Sequence, residues 1–425
     1  MSQSPDSDEL AELQEFLVRV GVSMTLAGES VDAIQDRLYR IGRAHGLENL
    51  DIAVLPTTLL VEFGTASSAR VQLGVRGGHV VPRLDQVSEL YVLAGAVERK
   101  ELSPSQGLLE LDAIFDVPPK RAWLTRVVGY GVLSVGFALL LQPAWGGLVV
   151  ALVLGLLVGV MTTWRLSSVQ TLMPVLASFI VGTIVFGTAQ FIELENPIRA
   201  LIPPLVAFLP GAALTTGTVE LAAGQAISGS ARLVQGVMAL ALMAFGIVAA
   251  AELVGSPDAH LLDHPFDRLG PWAPWIGLVI LTVAQYLHNC APRRTLLPIF
   301  AVLVVAYSGQ VAGAALFGAD VSAFFGALAM TPVVLWMSLQ SWGPPSMVTF
   351  LPAFWLLVPG AAGLIGVTEI VGTNSPLGTE DFAAAIGTVL TIALGILIGT
   401  AAFNSSRAGV QGVSTLRASI RRHPS

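Results

Sequence analysis

Charge is what this sequence has least of. Of 425 residues, 12% are Asp, Glu, Lys or Arg, about half the share of a soluble domain. Cysteine is nearly absent. The one residue, Cys290, excludes an intramolecular disulfide and leaves no companions for a zinc site. The net charge of -7 comes with no basic patch, which excludes a nucleic-acid partner. The opening MSQSPDSDELAELQ lacks an apolar core and does not read as a signal peptide, so the first part of the chain is expected in the cytoplasm. No nucleophile elbow, phosphate loop or metal-ligand spacing occurs, and neither a catalytic residue, a cofactor nor a metal is expected.

Apolar residues make up 54% of the chain, and they are unevenly placed. Residues 1–126 carry much of the charge, and after Arg126 the chain is mostly apolar. This predicts a small cytosolic α+β domain over 1–120, membrane-spanning repeats over 121–254 and 255–410, and a basic cytosolic tail over 411–425.

In the polar part, 8–20 and 29–45 read as amphipathic helices. Val31, Ile34, Leu38, Ile41 and His45 recur at helical spacing in the second, and Gly46 is its stop. Gly21-Val22-Ser23 lies between the two, and Gly28-Glu29-Ser30 offers a cap. Leu50–Leu55, Thr58–Phe63 and Ala69–Val75 read as strands, punctuated by Pro56, Gly64 and Gly77-Gly78. Leu84–Leu102 and Pro104–Phe115 return to helical spacing. Ser23, Glu29, Ser30, Asp32 and His45 can be drawn as a hydrolase constellation, or as caps and solvated helix faces.

Ten apolar runs follow, at approximately 127–141, 145–163, 172–191, 200–219, 231–252, 272–289, 295–316, 321–339, 347–368 and 382–403. A helix crosses a bilayer with about 20 residues. The break at Gln142-Pro143 is the weakest. With the polar domain inside, one set of connections holds Lys120, Arg121, Arg126, Arg165, Arg232, Arg293-Arg294, Arg407, Arg417 and Arg421-Arg422. The other set holds Glu193, Glu195, Glu252, Asp258, Asp263, Asp267, Asp320, Glu380 and Asp381, with Arg199 and Arg268. That asymmetry matches the positive-inside rule and predicts both termini in the cytoplasm.

One motif occurs twice. Pro203-x6-Pro210-Gly211-Ala212-Ala213-x3-Gly217-x2-Glu220 returns as Pro352-x6-Pro359-Gly360-Ala361-Ala362-x3-Gly366-x2-Glu369, offset by 149 residues. Gly229 matches Gly378 and Gly246 matches Gly395 in the same register. Ten spans split five and five, so the second copy would be flipped in the bilayer, an inverted repeat of the kind used for alternating access. Pro210 and Pro359 each remove a backbone donor and free a carbonyl one turn earlier, and Gly211 and Gly360 permit a break. Amides at such a break suit a carboxylate and carbonyls an ammonium. Glu220 and Glu369 would lie near the membrane surfaces if their helices are continuous, about 15 Å beyond the break, and deeper if they are not. A deep carboxylate could couple substrate to protons, and a shallow one is a cap. Thr215, Thr216 and Thr218 could meet a hydroxylated substrate or bond back to their own helix. Ser228 offers a cap to the next span. Trp164, Trp272, Trp275 and Trp342 fall near interfaces, and Gln190, Gln285, His288, Asn289 and Gln310 are polar near span ends. Gly155-x3-Gly159 serves internal packing or homo-oligomerisation.

These residues resemble the threonine/serine exporter family of bacterial inner membranes. Val20-Gly21-Val22-Ser23 through Glu29, Leu38, Ile41 and His45-Gly46-Leu47 is similar to that family's first helical pair. Leu209-Pro210-Gly211 through Glu220, then Ser228-Gly229-x-x-Arg232, is similar to its signature segment. Val358-Pro359-Gly360 is similar to its C-terminal module. The family more often has Asp where Glu220 stands. The resemblance implies a multi-pass membrane exporter, with a small hydroxy amino acid as substrate and protons as the coupling ion. Two other readings stay open: a membrane-anchored hydrolase with a catalytic N-terminal domain, and a passive channel.

Overall fold

A computed structural model describes residues 7–47, 49–63, 70–75, 82–141, 145–163, 172–191, 196–256, 269–357, 359–373 and 376–421. Gly64, Gly77-Gly78, the Gln142-Pro143 break, Trp164, Arg165, Glu193, Glu195, Asp258, Asp263, Asp267, Arg268 and Arg422 lie outside the described residues.

The polar part holds helices α1 (Ser7–Leu26) and α2 (Val31–Ala44), strands β1 (Leu50–Val54), β2 (Thr58–Phe63) and β3 (Arg70–Val75), then α3 (Leu84–Glu98) and α4 (Pro104–Asp116). The strands form an antiparallel sheet in the order β1-β2-β3, with Ile52 opposite Val61 and Val61 opposite Gln72. Alternation explains its buried face: Leu50, Ile52, Val54, Leu59 and Val61 point inward. They close on Phe16, Leu17, Val20 and Met24 of α1 and Ile34, Leu38 and Ile41 of α2. α1 runs through Gly21 to Leu26, beyond the residue 20 at which the sequence ended the helix. A Cβ there would lie 2.5 Å from Leu59 and 2.9 Å from Leu38, so the glycine admits a strand and a helix at close range. The turn comes at Gly28, with φ +87°, and Gly46 ends α2 with φ +85°.

The apolar part holds α5 (Trp123–Leu140), α6 (Trp145–Thr163), α7 (Met173–Ala189), α8 (Pro197–Leu205, continued as a 3₁₀ turn over Val206–Phe208), α9 (Gly211–Ala222) and α10 (Ala226–Val254). It continues as α11 (Ala273–Leu287), α12 (Leu296–Phe317), α13 (Ser322–Ser338), α14 (Ser346–Leu357), α15 (Pro359–Thr373) and α16 (Pro376–Arg421). Six helices are long and apolar enough to cross a bilayer, and eight spans result if α8–α9 and α14–α15 each count as one bent span. α7 and α11 are apolar but shorter. Trp145, Phe245, Leu316 and Leu390 project outward from this bundle, as lipid-facing side chains do. The chain is a helical, multi-pass membrane protein.

The 149-residue offset recurs in the contacts themselves. A Cβ on Gly246 of α10 would lie 2.7 Å from the Val175 carbonyl of α7, and one on Gly395 of α16 would lie 2.6 Å from the Phe324 carbonyl of α13. Residues 175 and 324 differ by the same step as 246 and 395. Likewise, Gly229 packs on the Gly217 carbonyl and Leu221 amide, and Gly378 on the Gly366 carbonyl and Ile370 amide. Small residues at these crossings let helix backbones touch without a membrane-phase hydrophobic drive.

Candidate functional site

The two Pro-Gly breaks meet. α8 and α9 are bent by 65° about Leu209-Pro210, and α14 and α15 by 42° about the second break. A Cβ on Gly360 would lie 3.0 Å from Leu209 Cβ and 3.4 Å from the Gly211 nitrogen. The proline geometry explains the first break. Pro210 cannot donate to Val206, and the Leu209 amide takes that carbonyl instead at 3.2 Å, tightening the end of α8 into a 3₁₀ turn. Tyr130 of α5, fully buried, donates its hydroxyl to the Pro204 carbonyl at 2.9 Å and pins this turn to the bundle.

Phe137, Val206, Leu209, Gly211, Phe354, Trp355 and Gly360 line the space between the breaks. Its volume is about 10 Å³, room for one water at most, so the centre is closed in this conformation. The Phe137 and Trp355 rings stand edge-to-face 6.5 Å apart across it. α9 and α15 both begin here, and the first amides of a helix have no intrahelical acceptor. Two positive helix ends therefore converge on one point, which suits a carboxylate.

Of the predicted site residues, Pro210, Gly211, Pro359 and Gly360 stand at this meeting point. Thr215, one turn into α9, is fully buried and its hydroxyl has no hydrogen-bond partner among the described residues. Thr216 is buried beside it. Thr218 bonds back to the Leu214 carbonyl at 2.9 Å, the ordinary fate of a helical threonine. Ser134 of α5 is a second fully buried hydroxyl without a partner. Nothing in the sequence marked it, because serine in an apolar run has no spacing signature.

Glu220 is elsewhere. α9 is continuous, so its carboxylate lies about 13 Å of helix rise beyond Gly211. Gly224, with φ +88°, ends the helix, its amide bonding Leu221 and the next amide bonding the Glu220 carbonyl. The chain turns back as α10 and sets Arg232 Nε 3.0 Å from Glu220 Oε2. That Oε2 has no aligned hydrogen bond, so the contact is Coulombic. Glu220 Oε1 accepts the Val31 amide at 3.1 Å. The acid thus caps α2 of the polar part, where the N-cap Ser30 makes no side-chain cap bond of its own. Arg232 also donates to the Glu29 carbonyl at 2.7 Å, Gln225 to Asp32 at 2.9 Å, and Ser228 to the Val54 carbonyl at 3.3 Å. Ser228 is therefore a docking residue, and the α9–α10 turn holds the polar part against the bundle. Leu84 and Asn289 add a backbone bond of 3.1 Å, and Arg294 reaches Ser88 at 3.4 Å.

Glu369, the repeat partner of Glu220, is 1% exposed on α15. In the register of Arg232 the second copy carries Asp381, and the next residue, Phe382, lies with its backbone against Gly366 as that of Leu233 lies against Gly217.

The hydrolase constellation is not assembled. Ser23 bonds the Arg19 carbonyl, His45 the Val97 carbonyl, and Asp32 accepts from Gln225. Glu29 accepts from Tyr91 and the Ser30 amide. Of the polar residues near span ends, Gln190 donates to the Val254 carbonyl, Asn289 to Gln285, and His288 meets the Arg126 carbonyl, while the Gln285 side-chain nitrogen is buried without a partner among the described residues. Among the described residues no three His, Cys, Asp or Glu side chains could hold a metal ion.

The profile of a family described as "Putative threonine/serine exporter" (ThrE) matches residues 15–254. The threonine/serine exporter of Corynebacterium glutamicum is 19% identical over 428 residues, covering 93% of this chain and 83% of that protein. Pheromone-regulated membrane protein 10 of Candida glabrata is 25% identical over 440 residues, covering 92% of this chain and 52% of that protein. Its namesake in Zygosaccharomyces rouxii is 23% identical over 437 residues, covering 92% and 42%. The chain spans about half the length of these two fungal relatives. No solved structure matches it.

Proposed function

The chain belongs to the threonine/serine exporter family, and from that premise we propose that it is a secondary transporter exporting a small hydroxy amino acid through the meeting point of its two broken helices. The observation that carries this reading is the convergence of Gly211 and Gly360, with the starts of α9 and α15, on one closed space. The helix starts hold the substrate carboxylate, the carbonyl end of α8 holds its ammonium, and Thr215 takes its hydroxyl. Because that space is too small for an amino acid, transport requires it to open to each side in turn.

In this reading α5–α10 and α11–α16 form ten spans as an inverted five-plus-five repeat, supported by the repeated glycine contacts. The short α7 and α11 complete the count. Residues 1–120 form a cytosolic domain, supported by Arg121, Arg126, Arg232, Arg293 and Arg294 on the side where it docks. Both termini are cytoplasmic and the membrane is a bacterial inner membrane. Export against a gradient is driven by the proton-motive force, with Glu369 as the proton-carrying acid, supported by its burial in a span. Glu220, held by Arg232 and Val31, keeps the cytosolic domain in place.

Threonine counterflow in proteoliposomes, with and without an imposed pH gradient, tests the proposal. Gradient-dependent movement that Gly360→Leu abolishes is expected. No movement of threonine or serine by folded protein overturns the substrate assignment, and movement indifferent to the gradient overturns the coupling.

A further inference from the structure

A second cavity lies away from the broken helices, between the polar part and the α13–α14 connection. Its volume is about 230 Å³. That is room for several waters and enough for a small amino acid. One wall is α1, α2, α3 and the turn between the first two, with Met24, Glu29, Asp36, Arg37, Arg40 and Tyr91. The other is the connection, with Ser338 and Ser346.

The wall carries both signs of charge. Glu29 is 8% exposed, and burial is the first cause holding its carboxyl above the ordinary glutamate value, against the opposing bonds from Tyr91 and Ser30. Arg37 donates to Glu98 at 2.8 Å through one Nη and lies 5.7 Å above the Tyr91 ring. A guanidinium has five donors, and Arg37 has no other protein acceptor among the described residues. Asp36 and Arg40 pair with each other, and Arg40 also with Glu98, so the groups left to a ligand are the Glu29 carboxyl and the remaining donors of Arg37. A dianion would be repelled by the first and a simple cation by the second. A zwitterion answers both, its carboxylate toward Arg37 and its ammonium toward Glu29. Glu29 is also the residue whose carbonyl receives Arg232, the partner of Glu220. Occupancy of the cavity therefore bears on the contact that docks the polar part.

We propose that this cavity is a binding site for a small zwitterionic amino acid, distinct from the path through the broken helices, that reports cytosolic amino acid to the Glu220–Arg232 contact. The inference rests on the cavity's own chemistry and not on the export reading.

The test places a thiol in the wall. Ser346→Cys is labelled with a soluble maleimide in the full-length detergent-solubilised protein, with threonine as the probe. Cys290, 4% exposed, is buried away from the reagent. Threonine at ten times its Kd is expected to slow labelling about tenfold, following 1 + [L]/Kd. The slowing is expected to persist in Gly360→Leu, which blocks the central path, and to vanish in Arg37→Gln. Ala33→Phe, which fills the cavity and leaves the Arg37–Glu98 pair in place, is expected to abolish it too. No slowing by threonine overturns the proposal. So does slowing that survives both cavity variants, or that Gly360→Leu removes. Loss of threonine counterflow with protection intact would instead overturn the export reading and leave this site standing.

Discussion

The two copies of the Pro-Gly motif share their backbone contacts and differ in their polar groups. Gly217 meets Gly229 as Gly366 meets Gly378, and the contacts of Gly246 return at Gly395. Yet the first copy has Thr215 where the second has Leu364, and Arg232 where the second has Asp381. Glu220 faces a cation and the start of a helix in another part of the chain, while its counterpart has an acid in the cation's place. What the copies share packs helices, and what differs is polar. Among the described residues, only the first copy's Glu220–Arg232 turn meets the polar part.

Arg232→Asp gives the first copy the residue of the second and should have the largest effect. It leaves the buried Glu220 carboxylate beside another acid, and breaking a buried pair costs about 3–5 kcal/mol. Thermal unfolding in detergent and protease cleavage near Gly28 read the loss, and Glu220→Gln in the same chain should recover much of it. A change too small to measure would mean the pair does not hold the parts together. Next come Gly229→Leu and Gly378→Leu, whose Cβ atoms would lie 2.6 and 2.7 Å from backbone. Each should destabilise by about 1–3 kcal/mol, to a similar degree. Strong inequality would break the equivalence of the copies.

Thr215→Val sharpens the comparison at the centre. Removing a buried hydroxyl without a protein partner should leave stability unchanged or raise it by up to about 1 kcal/mol. Threonine counterflow should fall about fivefold to tenfold, as for loss of one substrate hydrogen bond, with alanine movement, if any, unaffected. The smallest effect concerns Glu29, which has no equivalent in the second copy. Its carboxyl is raised above 4.5 by burial, so the folded state binds its proton more tightly than the unfolded one. Its contribution is present below that value and is lost as pH rises through the folded value. Glu29→Gln should flatten the pH dependence of unfolding above the ordinary glutamate value.

Patterns with a local cause were legible in the sequence. The strand alternation from Leu50 to Phe63, the stop at Gly46 and the breaks at Pro210 and Pro359 all depend on neighbours within a few residues. The meeting of Gly211 with Gly360 follows from the repeat. What was not legible depends on partners far along the chain. The first helix was ended at residue 20, before Gly21, because the Leu38 and Leu59 side chains that require that glycine are a helix and a strand away. Ser30 looked like a cap, but the cap is Glu220, 190 residues later. Glu220 itself read equally as a proton carrier or a surface group, and only its Arg232 and Val31 contacts decide its surroundings. The cavity beside Arg37 gave no signal, since its walls are drawn from three helices and a connection.

That distant cap bears on how the protein is made. The amide of Val31 leaves the ribosome long before residue 220 does, so α2 waits, its first turn short of an acceptor worth about 1 kcal/mol, until α8 and α9 have been inserted and the chain has turned back. The polar part becomes fully stable only after that insertion succeeds. Chains arrested before residue 220 should therefore show faster proteolysis within α2 than chains arrested after residue 232, and equal rates would separate the folding of the two parts. A failed insertion would thus expose itself at the other end of the polypeptide.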